Sequence, residues 1–355
     1  MEIRELLDLT VKSKASDLHL MQGSSPVIRV DGALRFLSNY LPLTKEETET
    51  LIFSLLTPMQ KELLINNREI DFSFSFSQNT GEAIGRFRGN LYYERGVLAG
   101  AFRFLEPVIK TAEELHLPKI CHTFADLKQG FILVTGPTGH GKSTTIATIL
   151  NEINLRRPVH ILTIEDPIEY TYPPGKSIIS QREMDMDTHS WSMALKSALR
   201  EDPDVVLVGE MRDPETVAAA MTIAETGHLV FSTLHTNSAS QTIDRIIDSS
   251  PASQQSQIKV QLAATLKGII SQRLLPAIGG GRVPAVEVLM GTPAVATNIR
   301  DGKTFLIDSI IESSQDMGMI PLEQSLATLV LSGTVSLETA KSYAMRVDDL
   351  MRLVG

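Results

Sequence analysis

The sequence holds a single cysteine, Cys121, among 355 residues. That count excludes an intramolecular disulfide and any cysteine-rich zinc site, and it suits a reducing cytoplasm. Long hydrophobic runs are also missing. No stretch reaches the roughly 18 apolar residues of a bilayer-spanning helix. The opening "MEIRELLDLTVKSKASD" lacks the apolar centre of a secretory signal. Any membrane association is therefore expected to be peripheral, through a partner. Basic excess is absent too: 33 Lys+Arg against 42 Asp+Glu give a formal net charge of −9 and a pI near 5.5. Such a surface repels phosphate backbones, so nucleic acid is not an expected partner. Neither a low-complexity segment nor a repeat of roughly 20–50 residues occurs. What is present, 43% hydrophobic and 21% charged, is an ordinary globular balance with length for two domains.

Residues 1–105 read as a small α+β domain on an antiparallel sheet. Ile3, Leu6, Leu7, Leu9 and Val11 give an amphipathic helix. "PVIRVDGALRFL" signals a hairpin turning at Asp31-Gly32. A second helix opens on Thr44, with Glu47 completing a capping box. Ile70, Phe72, Phe74 and Phe76 alternate with Asp71, Ser73 and Ser75, the period of a half-buried strand, and two strands follow around Glu94-Arg95-Gly96. Residues 106–118 form a linker, with Pro107, a short helix capped by Thr111 and Glu114, and a stop at Pro118. From 119 to 355 fully apolar strands ("GFILVTG", "VHILTIED", "PDVVLVGE", "HLVFSTLH") alternate with helices, which predicts a mainly parallel sheet. The chain ends in helices, one stopping at Gly333 and one opening on Ser336.

The strongest chemical signal is "FILVTGPTGHGKSTT". It fits G-x-x-x-x-G-K-[ST] between a strand and a helix, the context in which that pattern is a phosphate loop. The loop runs from Gly136 through Pro137, Thr138, Gly139, His140, Gly141, Lys142 and Ser143 to Thr144. Its backbone N–H groups would surround phosphate oxygens at a helix N-terminus. Lys142 would reach the β- and γ-phosphates of ATP, and Ser143 would hold Mg2+. Hydrolysis further needs acidic groups at neighbouring strand ends. Glu210 is placed to hold the water shell of Mg2+, and Glu165 to orient or deprotonate the attacking water; helix capping is the plainer alternative for either. His228 and His235 flank one apolar strand. Seven steps of ~3.3 Å set them roughly 20 Å apart, too far to share an ion. His235 falls at the phosphate end, where it could contact the γ-phosphate. His228 falls at the other end, facing a subunit boundary or a structural partner. For both, a hydrogen-bonded structural histidine stays open. Arg86 and Arg88 share a strand face, with Arg95 and Arg103 downstream; they form a solvated face or stabilise charge in a neighbour's site.

On "ASDLHL", "RFRGN", "VTGPTGHGKSTT", "LTIEDPIEY", "SQRE", "ALREDPDVVLVGEMRD", "AETGHLVFSTLHT" and "GGGRVPAVEVL", the chain resembles the type II/IV secretion ATPases. Within them it resembles the PilT/PilU group of type IV pilus retraction motors. The resemblance implies a PAS-like N-terminal domain, a RecA-like ATPase domain and assembly into a homo-hexamer. It implies that Glu165 prepares the water, Glu210 serves Mg2+, His228 and His235 form the His-box pair, and Arg88 and Arg103 reach nucleotide phosphates across domains. Hydrolysis would turn an inner-membrane pilus platform protein from the cytoplasmic face and remove pilin from the fibre. Two departures stand out. His140 replaces a frequent Ser or Thr, at a position expected to contribute backbone only. "AVATNIRDG" keeps only Ala294, Ile299 and Arg300 of the segment resembling "AIRNLIRE". The latter points to a PilU-like companion beside a paralogous retraction ATPase as the alternative. A pilus-assembly or type II secretion ATPase fits the length and the lone cysteine less well. A nucleotide-gated interaction subunit and a RecA-like nucleic-acid motor are the readings from other classes.

Overall fold

The computed structural model describes residues 1–30, 32–77, 83–105, 108–211 and 213–355. Asp31 and Pro107 lie outside them. The described residues form two compact units, Met1–Val108 with Glu169–Thr171, and Ile109–Ile168 with Tyr172–Gly355.

The first unit runs α1 (Ile3–Lys12), β1 (Asp17–Leu20), β2 (Val27–Val30), β3 (Ala33–Phe36), α2 (Lys45–Phe53), α3 (Pro58–Asn67), β4 (Glu69–Ser77), β5 (Ala83–Glu94) and β6 (Val97–Leu105). Its strands pair antiparallel in the order β3-β2-β1-β6-β5-β4. Side chains alternate across a strand, so one face buries Leu18, Phe72, Phe87 and Phe102 together with Leu6, Leu7 and Ile52 of the helices. The opposite face carries a polar row in register: Arg29, Asp17, Arg103, Arg88 and Ser73. The Thr44–Glu47 capping box forms with both bonds. Arg95 and Gly96 take φ of 51° and 80°, as a tight hairpin turn needs. Two elements escaped the sequence pattern: β1, inside "ASDLHL", and α3, which opens on its own capping box at Thr57 and Gln60.

The second unit begins earlier than the linker boundary suggests. Lys110 O accepts from Thr148 Oγ1 at 2.8 Å, and His122 lies 3.1 Å from Glu113 and 2.8 Å from Glu152. Thr111 and Glu114 do exchange their two capping bonds, but residues 112–116 make turns, not a helix. The unit continues α4 (Ile120–Asp126), β7 (Gly130–Thr135), α5 (Lys142–Arg156), β8 (His160–Glu165), β9 (Ile178–Glu183), α6 (Trp191–Ala198), β10 (Val205–Val208), α7 (Pro214–Glu225), β11 (Leu229–Leu234), α8 (Ala239–Asp248), α9 (Gln255–Thr265), β12 (Leu266–Pro276) and β13 (Arg282–Met290). It closes with α10 (Pro293–Asp301), α11 (Ile307–Ser313), α12 (Leu322–Leu331), α13 (Leu337–Tyr343) and α14 (Val347–Val354). The sheet order is β13-β12-β7-β11-β10-β8-β9, parallel except for β12 against β13. Two separate apolar clusters pack on the sheet, as expected where strands are buried on both faces.

The helix expected from Ser336 onward is broken into α13 and α14. Buried Glu323 accepts the backbone N–H of Met345 at 3.1 Å and of Arg346 at 2.9 Å, which takes them out of a continuous helix. Nearby, Glu287 of β13 accepts the N–H of Ala239 at 2.7 Å and so fastens the first residue of α8. Burial pushes the Glu287 carboxyl up to about 7; Ala239 opposes this, Asp308 and Glu323 add to it, and Arg346 opposes it. Its folded pKa exceeds the ordinary value of 4.5, so the folded chain keeps a proton that the unfolded chain has lost. That stabilisation is complete below pH 4.5 and disappears as pH rises through about 7. Glu287→Gln keeps an acceptor for Ala239 without the buried charge. It is expected to raise Tm by about 5 °C at pH 8 and to leave it unchanged at pH 4.5. Equal melting curves at pH 8 would contradict this.

Candidate nucleotide site

The parallel register gathers the site. Thr135 pairs with Leu234, Val208 with Ser232, and Val208 with Ile164. The carboxyl ends of β7, β11, β10 and β8 therefore share one edge, and the residues that follow each strand meet there. After β7 comes the phosphate loop, whose Gly136, Gly139 and Gly141 take φ of 140°, 79° and 80°, values that side chains resist.

Lys142, the first residue of α5, is 8% exposed. A buried ammonium is costly unless its protons are taken up. Its Nζ donates to Gly136 O at 2.8 Å and Pro137 O at 3.0 Å, and lies 3.3 Å from His235 Nδ1. Thr138 Oγ1 is also 3.3 Å from that nitrogen. Lysine only donates, so Nδ1 accepts, leaving the other ring nitrogen to donate to Glu210 Oε1 at 3.0 Å. Lys142, His235 and Glu210 thus form one chain of contacts. Glu165, at the tip of β8, accepts from Thr163 Oγ1 at 2.7 Å and Gln181 Nε2 at 3.3 Å through one oxygen, Oε1. Gly209 donates its N–H to Ile164 O at 2.9 Å, seating Glu210 beside that strand end. Asp213 caps α7 through Thr216, so Glu210 is not needed for that task. Ser143 and Thr144 stand half-buried in the first turn of α5.

His228 is not brought to this group. Its Nδ1 lies 2.9 Å from Ile223 O and 3.0 Å from Thr226 Oγ1, at the C-terminus of α7 and the far end of β11. In the first unit, Arg103 Nε pairs with Asp17 at 2.9 Å and Arg88 lies 3.7 Å from Asp71. The two arginines sit directly opposite each other, and these acids offset that like-charge pairing.

His140 does more than lend its backbone. Its Nδ1 accepts the N–H of Leu274 at 3.0 Å, and its ring centroid is 6.3 Å from that of Tyr343. Burial, then Arg273, Lys142 and Arg282, hold its pKa below the ordinary histidine value, consistent with an unprotonated acceptor. Sequence reasoning also missed Gln272, a buried amide in β12 bonded to His140 O and Thr145 Oγ1. A polar residue inside "GIISQRLL" was the available signal.

Fold and site together define a RecA-like P-loop protein. The type II/IV secretion system protein family matches residues 112–308. The type IV pilus retraction ATPase PilT of Pseudomonas aeruginosa is 44% identical over 344 residues, 97% of this chain and 98% of that protein. The type IV pilus ATPase PilU of the same organism is 37% identical over 355 residues, 100% of this chain and 91% of that one. A crystal structure of the pilus retraction motor PilT with bound ADP superposes with a TM-score of 0.91 at 45% identity, covering 99% of each chain. The chain belongs to the type II/IV secretion ATPase family, in its type IV pilus retraction (PilT/PilU) branch. Among the described residues no helix is long and apolar enough to cross a membrane.

His235→Ala removes both an acceptor for Lys142 and a donor to Glu210. The ratio of ATP to ADP affinity is expected to shrink about fivefold, measured by competition against a fluorescent nucleotide. An unchanged ratio would dismiss a role for this ring in telling the two apart.

Proposed function

We propose that the chain is a Mg2+-dependent ATPase that acts as a homo-hexamer and powers type IV pilus retraction. The carrying observation is the contact chain from Lys142 through His235 to Glu210, in a sequence 44% identical to a pilus retraction ATPase over 97% of its length. Lys142 exchanges its loop carbonyls for the β- and γ-phosphates. Glu165, steadied by Thr163 and Gln181, takes the proton of the attacking water. His235 links the phosphate end to Glu210 and reports the γ-phosphate.

Ser143 and Glu210 offer hydroxyl and carboxylate oxygens, the donors a hard divalent ion takes. Among the described residues no group of three or more His, Cys, Asp or Glu forms a rival metal site. When bound, Mg2+ neutralises charge on the β- and γ-phosphate oxygens. Domain rotation transmits hydrolysis to an inner-membrane platform protein at the cytoplasmic face. A companion role beside a paralogous motor is the second reading, favoured by the divergent stretch in α10, although identity to PilU, at 37%, is below the 44% to PilT.

Glu210→Ala is expected to retain ATP binding and to lower kcat about 100-fold, with Lys142→Ala as the non-binding control. Parent activity no higher than that control would refute the ATPase assignment. Cells lacking the chain are expected to carry excess, static pili when fibres are labelled and imaged. Bald cells would indicate assembly instead, and near-normal retraction would indicate the companion role.

A further inference from the structure

The phosphate loop is fastened from outside its own motif. Gln272 is 3% exposed and lies on β12, whose preceding residue, Ser271, pairs with Thr135, the last residue of β7. It is therefore level with Gly136, where the loop begins. Its Nε2 donates to His140 O at 2.7 Å, and its Oε1 accepts from Thr145 Oγ1 at 2.7 Å. One amide thus holds the end of the loop with one arm and the first turn of α5 with the other. The loop's start is pressed against the same residue: a Cβ on Gly136 would collide with the carbonyl oxygen of Gln272. A Cβ on Gly141 would come within 2.9 Å of the Gln272 amide nitrogen. Beside these contacts, the His140 ring accepts from Leu274 N at 3.0 Å. β12 therefore grips the loop at its beginning, its end and the helix that follows.

We propose that Gln272 is a positioning residue for phosphate binding, holding the P-loop and the start of α5 in their binding shape from the neighbouring strand, with His140 as a secondary anchor. This rests on the nucleotide assignment of the loop and adds residues that the loop's motif does not contain. The physical reason is conformational entropy. A loop with glycines at three positive-φ positions samples many shapes, and ordering it upon binding subtracts from affinity. Pinning both of its ends removes most of that loss beforehand. A buried amide on a largely apolar strand is otherwise costly, and both of its bonds go to the loop and to α5.

The test is the affinity of the full chain for ADP, titrated with a fluorescent analogue well below the melting temperature of every variant. Gln272→Leu and Thr145→Val are each expected to weaken ADP about tenfold. The double variant is expected to fall within about threefold of the weaker single one, because both share one amide. Gln272→Glu keeps the acceptor for Thr145 but sets a carboxylate against His140 O, and is expected to match Gln272→Leu. If Gln272→Leu does not fold, Thr145→Val, which exchanges the hydroxyl for a methyl group of similar size, decides. Variants that lower Tm yet bind ADP within twofold of the parent would show a merely structural amide and overturn the proposal. Single effects that multiply in the double variant would overturn it too. A parent chain that does not bind ADP would instead overturn the nucleotide assignment of the loop, and this proposal with it.

Discussion

A positive charge placed almost out of water organises this molecule's chemistry. Lys142 is 8% exposed at the head of α5, and a buried ammonium must find acceptors for its protons. Two come from the loop that precedes it, Gly136 O and Pro137 O, which obliges the loop to curl back over its own lysine. A further contact is His235, the residue that follows β11. Through the opposite nitrogen of that ring the demand passes to Glu210, just beyond the end of β10. A local requirement for charge compensation thus ties together elements about a hundred residues apart in sequence.

The same logic explains the apparent excess of polar groups around the sheet's far side. β12 lies beside β7 and supports the loop through Gln272, while β13 holds the start of α8 through Glu287. α8 follows directly on the His235 turn, so the strands that carry no phosphate ligand still fix the segments that do. Further out, Glu323 interrupts the terminal helix and pairs with Arg346, which also reaches Glu312 and Asp349. Polar residues buried at such positions are expensive individually and acceptable only when every donor and acceptor is matched.

Much of the fold was legible. Strictly alternating Phe72, Phe74 and Phe76 signalled a strand with one wet face, and unbroken apolar runs signalled strands covered on both. Capping boxes at Thr44 and Thr57 follow local rules, although the second went unread because no strong apolar period surrounds it. The box at Thr111 shows the limit of such rules: both bonds form, yet the residues beyond it turn and do not continue as a helix. The site was readable where one stretch carries it, as in the loop from Gly136 to Thr144. It was not readable where the partner is remote, as for Gln272, or where the ring of His140 reaches Leu274.

The sequence alone determined that a phosphate loop follows an apolar strand, that acidic groups end neighbouring strands, and that His228 and His235 cannot share an ion. These are properties of adjacent residues, set by backbone period, rise and glycine conformation. Only the tertiary structure decided which histidine joins the lysine, which oxygen Glu165 presents to Thr163 and Gln181, and which strand grips the loop. Those choices depend on sheet order, with β7 between β12 and β11 and β10 between β11 and β8. Strand order is fixed by how helices cover both faces of the sheet, a global packing condition that no short stretch of residues encodes.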